Sequence, residues 1–300
     1  MSRLVVTADD FGLHHSVNDA VEQSHRSGIL NAASLMVSGR ASRDAILRAH
    51  RLPNLRVGLH VVLADGWATL DPQLIPAIAD SGGRMSGEMF LKAVRMFASP
   101  SVRRQLESEI RAQFAAFAQT GLKLDHVNAH KHFHVHPTIF DVLLRVGRDY
   151  GSPAIRVPDE PYWFAKQVGG IWAGAANRLI LPWIAHMKHR LRAARVFHND
   201  HLFGIAGSGG MSETRLIDIL RRLPPGVSEV YLHPATESGG AIAASMSGYR
   251  HAEEFAALMS PGVRAALDAV AIRGGYQDVR ADSERNAIPD ADQPAAPAQR

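Results

Sequence analysis

Short apolar runs rich in β-branched residues alternate along this chain with longer segments whose apolar positions recur every three or four residues. The first pattern fits strands buried on both faces, and the second fits helices that bury one stripe. "LVVTADD" (Leu4 to Asp10) reads as a buried strand ending near Asp9 and bounded by Gly12. "SVNDAVEQSHRSG" follows as a helix that Ser16 can cap and Gly28 can close. "AASLMVSG" predicts a second strand, "ASRDAILRAH" a second helix, and "LRVGLHVVL" (Leu55 to Leu63) a third strand. A loop-rich stretch runs from Ala64 to Gly87. Next come the amphipathic helix "SVRRQLESEIRAQFAAFAQTG", closed by Gly121, and the strand "LKLDHVNAH". The helix "PTIFDVLLRVGRDYG" starts on Pro137, a position where the missing N–H costs nothing. The strand "PAIRVP", the helix "TRLIDILRRLPPG", the strand "VSEVYLHPA", the helix "SPGVRAALDAVAIRGG" and a last short strand "YQDV" complete the pattern.

Strands that alternate with helices throughout predict an α/β fold with a mostly parallel sheet. The number of βα units favours a barrel or distorted barrel, with an open doubly wound sheet as the alternative. We expect one domain over residues 1–280, with an insertion at about 161–199, and a polar, proline-dotted, disordered tail over 281–300. No glycine-rich phosphate-binding motif is present, so nucleotide binding has no support.

Composition narrows the chemistry. The chain is 46% hydrophobic and 21% charged, as soluble globular domains are. It has no cysteine, so any metal must sit on His, Asp or Glu. A net charge of +4 is too mild for a nucleic-acid binder. The N-terminus reads as a strand and not as a signal peptide, and no apolar run is long enough to cross a bilayer. A cytoplasmic location is expected, with peripheral contact at the inner membrane face as an addition argued below.

The reactive residue types fall where predicted strands end, which is where parallel α/β folds gather their sites. The first strand ends in Asp9-Asp10, the third carries His60, and "EVYLHPA" ends at His233. "DHVNAHKHFHVHP" (residues 125–137) places His126, His130, His132, His134 and His136 after another strand. Singly, each has an ordinary structural explanation: a turn, a cap or a hydrogen-bonded core imidazole. Together they suggest metal-assisted hydrolysis, since one Asp and two His make a mixed oxygen and nitrogen site with room for water and substrate. Adjacent Asp9 and Asp10 point to opposite faces of a regular strand, so they share a site only if the strand breaks there. In an extended chain His130, His132 and His134 share one face, and spacing alone does not choose among them.

"TADDFG", "VGLH", "HVNAHKHFHVHP" and "YLHPA", in that order, resemble the YdjC-type carbohydrate deacetylases, within the metal-dependent polysaccharide-type deacetylases. "RVPDEP", "PPGVSEVYLHPAT" and "GYRHAEEFAAL" resemble most closely the subgroup associated with hopanoid biosynthesis. The resemblance implies a distorted (β/α) barrel that removes N-acetyl groups from amino sugars with one divalent metal, Mg2+ or Zn2+. It implies Asp9 as general base, His233 as general acid, and Asp10, His60 and His130 as metal ligands, with His132 and His134 as alternates. Arg156 orients Asp9, binds substrate or makes a plain ion pair. For the subgroup the implied substrate is an N-acetylglucosaminyl hopanoid glycolipid.

The insertion holds three of the four tryptophans, Trp163, Trp172 and Trp183. Between Pro161 and Asn199 it has no acidic residue, against Lys166, Arg178, Lys188, Arg190, Arg192 and Arg195. A core-packing helix with a solvated basic end is one reading. An interfacial helix or lid that meets a lipid substrate is the other, with Trp163 as a candidate substrate contact. Two further readings of the whole chain are an ester or phosphoester hydrolase and a non-catalytic metal- or lipid-binding protein. No oligomeric state is implied.

Overall fold

The computed structural model describes residues 2–87, 99–151, 153–169, 175–237, 242–268, 270 and 272–287. In chain order the first half comprises β1 (Ser2–Phe11), α1 (His15–Ser27), β2 (Ala32–Leu35), α2 (Ser42–His50), β3 (Arg56–Val61), β4 (Gly66–Trp67), β5 (Arg84–Met85), α3 (Pro100–Gln119), β6 (Leu124–Ala129) and α4 (Pro137–Asp149). The second comprises β7 (Ala154–Ile155), α5 (Tyr162–Val168), α6 (Ala175–Ala193), β8 (His201–Phe203), α7 (Glu213–Arg221), β9 (Gly226–Leu232), α8 (His251–Met259), α9 (Pro261–Leu267), β10 (Ile272–Arg273) and α10 (Tyr276–Ala287).

The main sheet runs β7-β6-β3-β2-β1-β9-β8, with β10 beside the first residues of β1, and every pairing in it is parallel. It curls until its two outer ends meet. Ile155 N–H donates to Phe197 O (3.0 Å), Leu202 N–H donates to Asp159 O (2.9 Å), and the Asn199 side chain bonds both backbone groups of Val157 (2.7 Å each). The result is the expected distorted α/β barrel. β4 and β5 form a separate antiparallel pair.

Side-chain alternation along β1 sorts the interior. Leu4, Val6 and Ala8 belong to the large core under the helices, whereas Val5 joins a small second cluster with Ala32, Ala154, Val227, Tyr276 and Val279. That cluster plugs the barrel floor. Above it the buried residues turn polar: Thr7, Asp9, Ser34, His60, His126, Asn128, Arg156 and Glu229 are each at most 2% exposed. A barrel whose upper interior is charged and hydrogen-bonded is built to hold chemistry rather than to maximise apolar burial.

Several local expectations change. "YQDV" opens α10 instead of forming a strand, and residues 281–287 continue that helix instead of the tail; residues 288–300 lie outside the described residues, as does Trp172. α8 was not anticipated. His14, not Ser16, caps α1, its ring nitrogen accepting from Ser16 N–H. β1 reaches Phe11, past Asp9.

α3 fastens the end of β3. Gln113, fully buried, accepts from Val62 N–H (2.9 Å) and donates to Val62 O (2.7 Å), and Glu109 accepts from Thr69 and Leu70 N–H. Gln113→Leu keeps the volume but strands a backbone donor and acceptor. Urea unfolding of this variant is expected to show a loss of about 2–4 kcal/mol; a change within about 0.5 kcal/mol would mean that Gln113 does not hold this loop.

Candidate active site

The site begins where β1 breaks. Asp10 has φ 64°, and the pairing of β1 with β2 shifts between Ala8 and Phe11. A left-handed aspartate inside a strand stores strain. The irregularity lets neighbouring carboxylates share one rim. Gly12, at φ 94°, completes the turn: a Cβ there would lie 3.0 Å from Met36 O, and Asn18 Oδ1 accepts its N–H at 2.8 Å.

Asp10, His60 and His130 converge, each buried, with one ligand-type atom apiece all within 4.8 Å of one another. His60 Nε2 lies 3.2 Å and His130 Nδ1 2.9 Å from Asp10 Oδ1. Neither Asp10 oxygen has a hydrogen-bond partner. Burial alone would raise the Asp10 pKa, but His130 and then His60 outweigh it and hold the carboxyl well below its usual range. A buried carboxylate aimed at two ring nitrogens and at no other donor is a place where a divalent cation would be well held. One carboxylate and two imidazoles fit a divalent cation, so the donor set passes the test for the metal that the sequence resemblance implies.

The choice within the histidine cluster is made by backbone geometry. After β6 the chain enters 3-10 turns over His130–Val135, where Lys131 (φ 54°) and His132 (φ 55°) are left-handed. The chain therefore does not stay extended, and the three imidazoles take different partners. His130 meets Asp10, His132 Nε2 lies 2.8 Å from the Tyr231 hydroxyl, and His134, fully buried, packs against the His132 ring at 5.7 Å and is not one of the three converging residues. His136 caps α4, its ring nitrogen accepting from Thr138 N–H.

Asp9 faces the same cavity with different partners. Arg156 Nη1 and Nη2 donate to its two oxygens at 2.6 and 2.9 Å, and Asn128 Nδ2 donates at 3.1 Å. Burial would raise its pKa, but the Arg156 guanidinium, then His60, reverse this and keep Asp9 ionised far below the usual carboxylate range. Arg156 is itself fully buried and also bonds Glu229 through Nε (2.9 Å) and Nη2 (2.7 Å). Thr7 Oγ1 and the Tyr276 hydroxyl donate to Glu229 as well. Arg156 does not line the cavity, and its pairing with both Asp9 and Glu229 fits the orienting and the ion-pair readings rather than a direct substrate contact.

The cavity has a volume of about 580 Å³. Asp9, His60, His130 and His233 lie on its floor, and Phe133, Val135, Ile180, Ile205 and Met246 supply an apolar wall. His233 is positioned through its backbone: its N–H donates to Glu254 Oε2 (2.6 Å) and its carbonyl lies 2.6 Å from His251 Nδ1. Burial lowers its pKa to about 4, against the pull of Asp10 and Asp9, so the ring rests neutral. Trp163 is not in this cavity. It packs on Phe164 and Phe203 under the Arg222 guanidinium and lines a separate cavity with Tyr162 and Leu181. The basic end of the insertion is partly neutralised, because Lys188 pairs with Asp159 and Arg190 with Asp141. Asn128, Glu229 and Glu254 were not singled out from sequence. The signal for Asn128 was at hand, since it stands two residues from both His126 and His130.

The family model described as YdjC-like protein matches residues 3–269. A carbohydrate deacetylase of Brevibacillus brevis is 36% identical over 157 residues, which cover 52% of this chain and 59% of that protein. A carbohydrate deacetylase of Geobacillus stearothermophilus is 28% identical over 260 residues, covering 86% of this chain and 89% of that one. The matched part thus spans about six-tenths of the first curated relatives, and nearly all of the Geobacillus protein. A crystal structure from Enterococcus faecalis, of a protein described as cleaving cellobiose-phosphate, superposes with a TM-score of 0.72 at 20% identity over 93% of this chain and 98% of that one. It confirms the fold.

Arg156 gives a test of the buried charges. With Arg156 present, the depressed Asp9 pKa contributes stability above the ordinary carboxylate range that is lost as pH falls through and below it. Arg156→Leu leaves two carboxylates uncompensated, at a cost of about 3–5 kcal/mol near neutral pH. Without the guanidinium, burial pushes the Asp9 pKa up, above that of the unfolded chain, so the variant should gain stability on acidification from about pH 7 to about pH 5. Thermal midpoints at the two pH values check this; a variant with the wild-type slope would contradict it.

Proposed function

This chain belongs to the YdjC-like family, and from that premise we propose that it is a metal-dependent carbohydrate N-deacetylase. It hydrolyses the acetamide of an amino sugar and releases acetate. The observation that carries the reading is the cluster of Asp10, His60 and His130, whose two histidines line one cavity with an ionised Asp9 and a neutral His233. The curated relatives named carbohydrate deacetylases support it.

Asp10, His60 and His130 would hold the cation, and the donor set suits Zn2+ and tolerates Mg2+. When bound, the cation supplies Lewis-acid polarisation of the acetamide oxygen and acidification of water. Asp9 removes the proton from the attacking water. Its fixed geometry, held by Arg156 and Asn128, aims one carboxylate at that proton. His233, neutral at rest, carries the proton taken from water only in transit, receiving it as the C–N bond opens and passing it to the departing nitrogen. Over the cycle the water oxygen stays with the acetyl carbon, the C–N bond breaks, and one proton ends on the amine. The apolar wall of Phe133, Val135, Ile180, Ile205 and Met246 excludes water from the reacting atoms.

For the substrate beyond the sugar, we propose an apolar aglycone, and as its specific form the N-acetylglucosaminyl hopanoid glycolipid that the sequence resemblance implies. Ile180 on α6 lines the cavity, and its neighbours Leu179 and Leu181 are 83% and 44% exposed. Exposed leucines on either side of a residue that lines the cavity suit a substrate presented at a lipid surface. No helix among the described residues is long and apolar enough to cross a membrane. We therefore propose peripheral contact at the inner face, with the protein otherwise cytoplasmic.

Acetate release from an N-acetylglucosaminyl lipid tests the function. We expect a chelator to abolish it and added divalent metal to restore it. Asp9→Asn should retain the metal by elemental analysis yet lose about 10²–10⁴-fold in turnover. Metal binding without acetate release from any N-acetylated sugar would favour the non-catalytic reading.

A further inference from the structure

Below the cluster a line of hydrogen bonds crosses the barrel interior to its floor. His60 Nδ1 is 2.6 Å from Asn128 Oδ1. Asn128 Nδ2 has two partners, Asp9 Oδ1 at 3.1 Å and Ser34 Oγ at 2.9 Å. Ser34 Oγ is 3.0 Å from His126 Nε2, and His126 Nδ1 is 2.9 Å from Asp125 Oδ2. Every residue in the line is at most 2% exposed.

The direction of each bond follows from its two ends. An ionised Asp9 only accepts, so the amide nitrogen of Asn128 must face it; the flipped amide would set oxygen against oxygen. Asn128 Oδ1 then faces His60 and accepts, which places the His60 proton on Nδ1 and leaves the Nε2 lone pair toward Asp10. At the other end the Asp125 oxygens accept Tyr276 N–H (3.0 Å) and Gln277 N–H (2.9 Å) at the start of α10, and accept from His126 Nδ1–H. His126 Nε2 is therefore bare, Ser34 donates its one proton there, and its oxygen is free to accept from Asn128.

The socket is shaped for this ring. A Cβ on Gly58 would lie 2.5 Å from His126 ring atoms, and Tyr276 packs against the ring at 5.1 Å. Only glycine at 58 lets the imidazole stand between Ser34 and Asp125.

We propose that Asp125, His126 and Ser34 are positioning residues for the cation site. They hold Asn128 in the one amide orientation that fixes His60 as the Nδ1–H tautomer, with Nε2 offered to a divalent cation. The inference rests on reading Asp10, His60 and His130 as a cation site. Ser34 gives the Asn128 amide a second anchor beside Asp9, so that its orientation does not hang on one partner. The arm through Ser34 and His126 then keeps the His60 lone pair in place through the cycle.

The test uses metal-free protein and Co2+ as the probe. Imidazole ¹⁵N spectra at alkaline pH should show wild-type His60 with the proton on Nδ1. Ser34→Ala removes one hydroxyl, and His126→Phe keeps the packing on Tyr276; both are expected to mix the His60 tautomers and weaken Co2+ binding by about 10–100-fold. Ser34→Thr, which keeps the hydroxyl, should restore both properties. A wild-type His60 protonated on Nε2 would overturn the proposal, as would Ser34→Ala with unchanged tautomer and affinity. A wild type that binds no Co2+ would defeat the cation reading, while the spectra would still decide whether the arm sets the tautomer.

Discussion

One constraint organises the site: Asp10 is buried with both oxygens unpaired and faces two imidazole nitrogens. With no other donor at either oxygen, a divalent cation among them would satisfy the carboxylate and both rings at once. The left-handed backbone at Asp10, the 3-10 turns after β6 and the polar barrel interior all serve to make that arrangement. Each costs stability on its own, and the apolar floor and the helix-covered outer core offset the cost.

The two carboxylates of "DD" differ because their neighbours differ. Asp9 is surrounded by donors, Arg156 and Asn128, that keep it charged and fixed. Asp10 has no donor other than the ring nitrogens it faces. Adjacent identical residues thus take different environments, which suit the proton acceptor and the cation ligand proposed for them. Glu229 balances the second side of Arg156, so the guanidinium carries no unshared charge toward the cavity.

Much of this was legible in the sequence, and the rest failed for physical reasons. Strand and helix alternation predicted the α/β barrel, because periodicity reports which face is buried. Asp9, Asp10, His60 and His233 were placed by their positions at strand ends. His130 was separated from His132 and His134 only by the left-handed turn at Lys131 and His132, which no propensity announces. Trp163 lies outside the active-site cavity; aromatic residues near basic ones read equally as a substrate contact or as packing, and here Arg222 sits over its ring and Phe164 and Phe203 pack on it. "YQDV" has strand-like residues, yet it forms the first turn of α10, where two backbone N–H groups bind Asp125. Tertiary partners overrode local preference there.

Anomalous X-ray diffraction at the absorption edge of a bound divalent metal tests the central claim most directly. The account predicts one strong peak at about 2.0–2.2 Å from an Asp10 oxygen, His60 Nε2 and His130 Nδ1. A peak at other residues, or none at saturating metal with these side chains ordered as described, would contradict it.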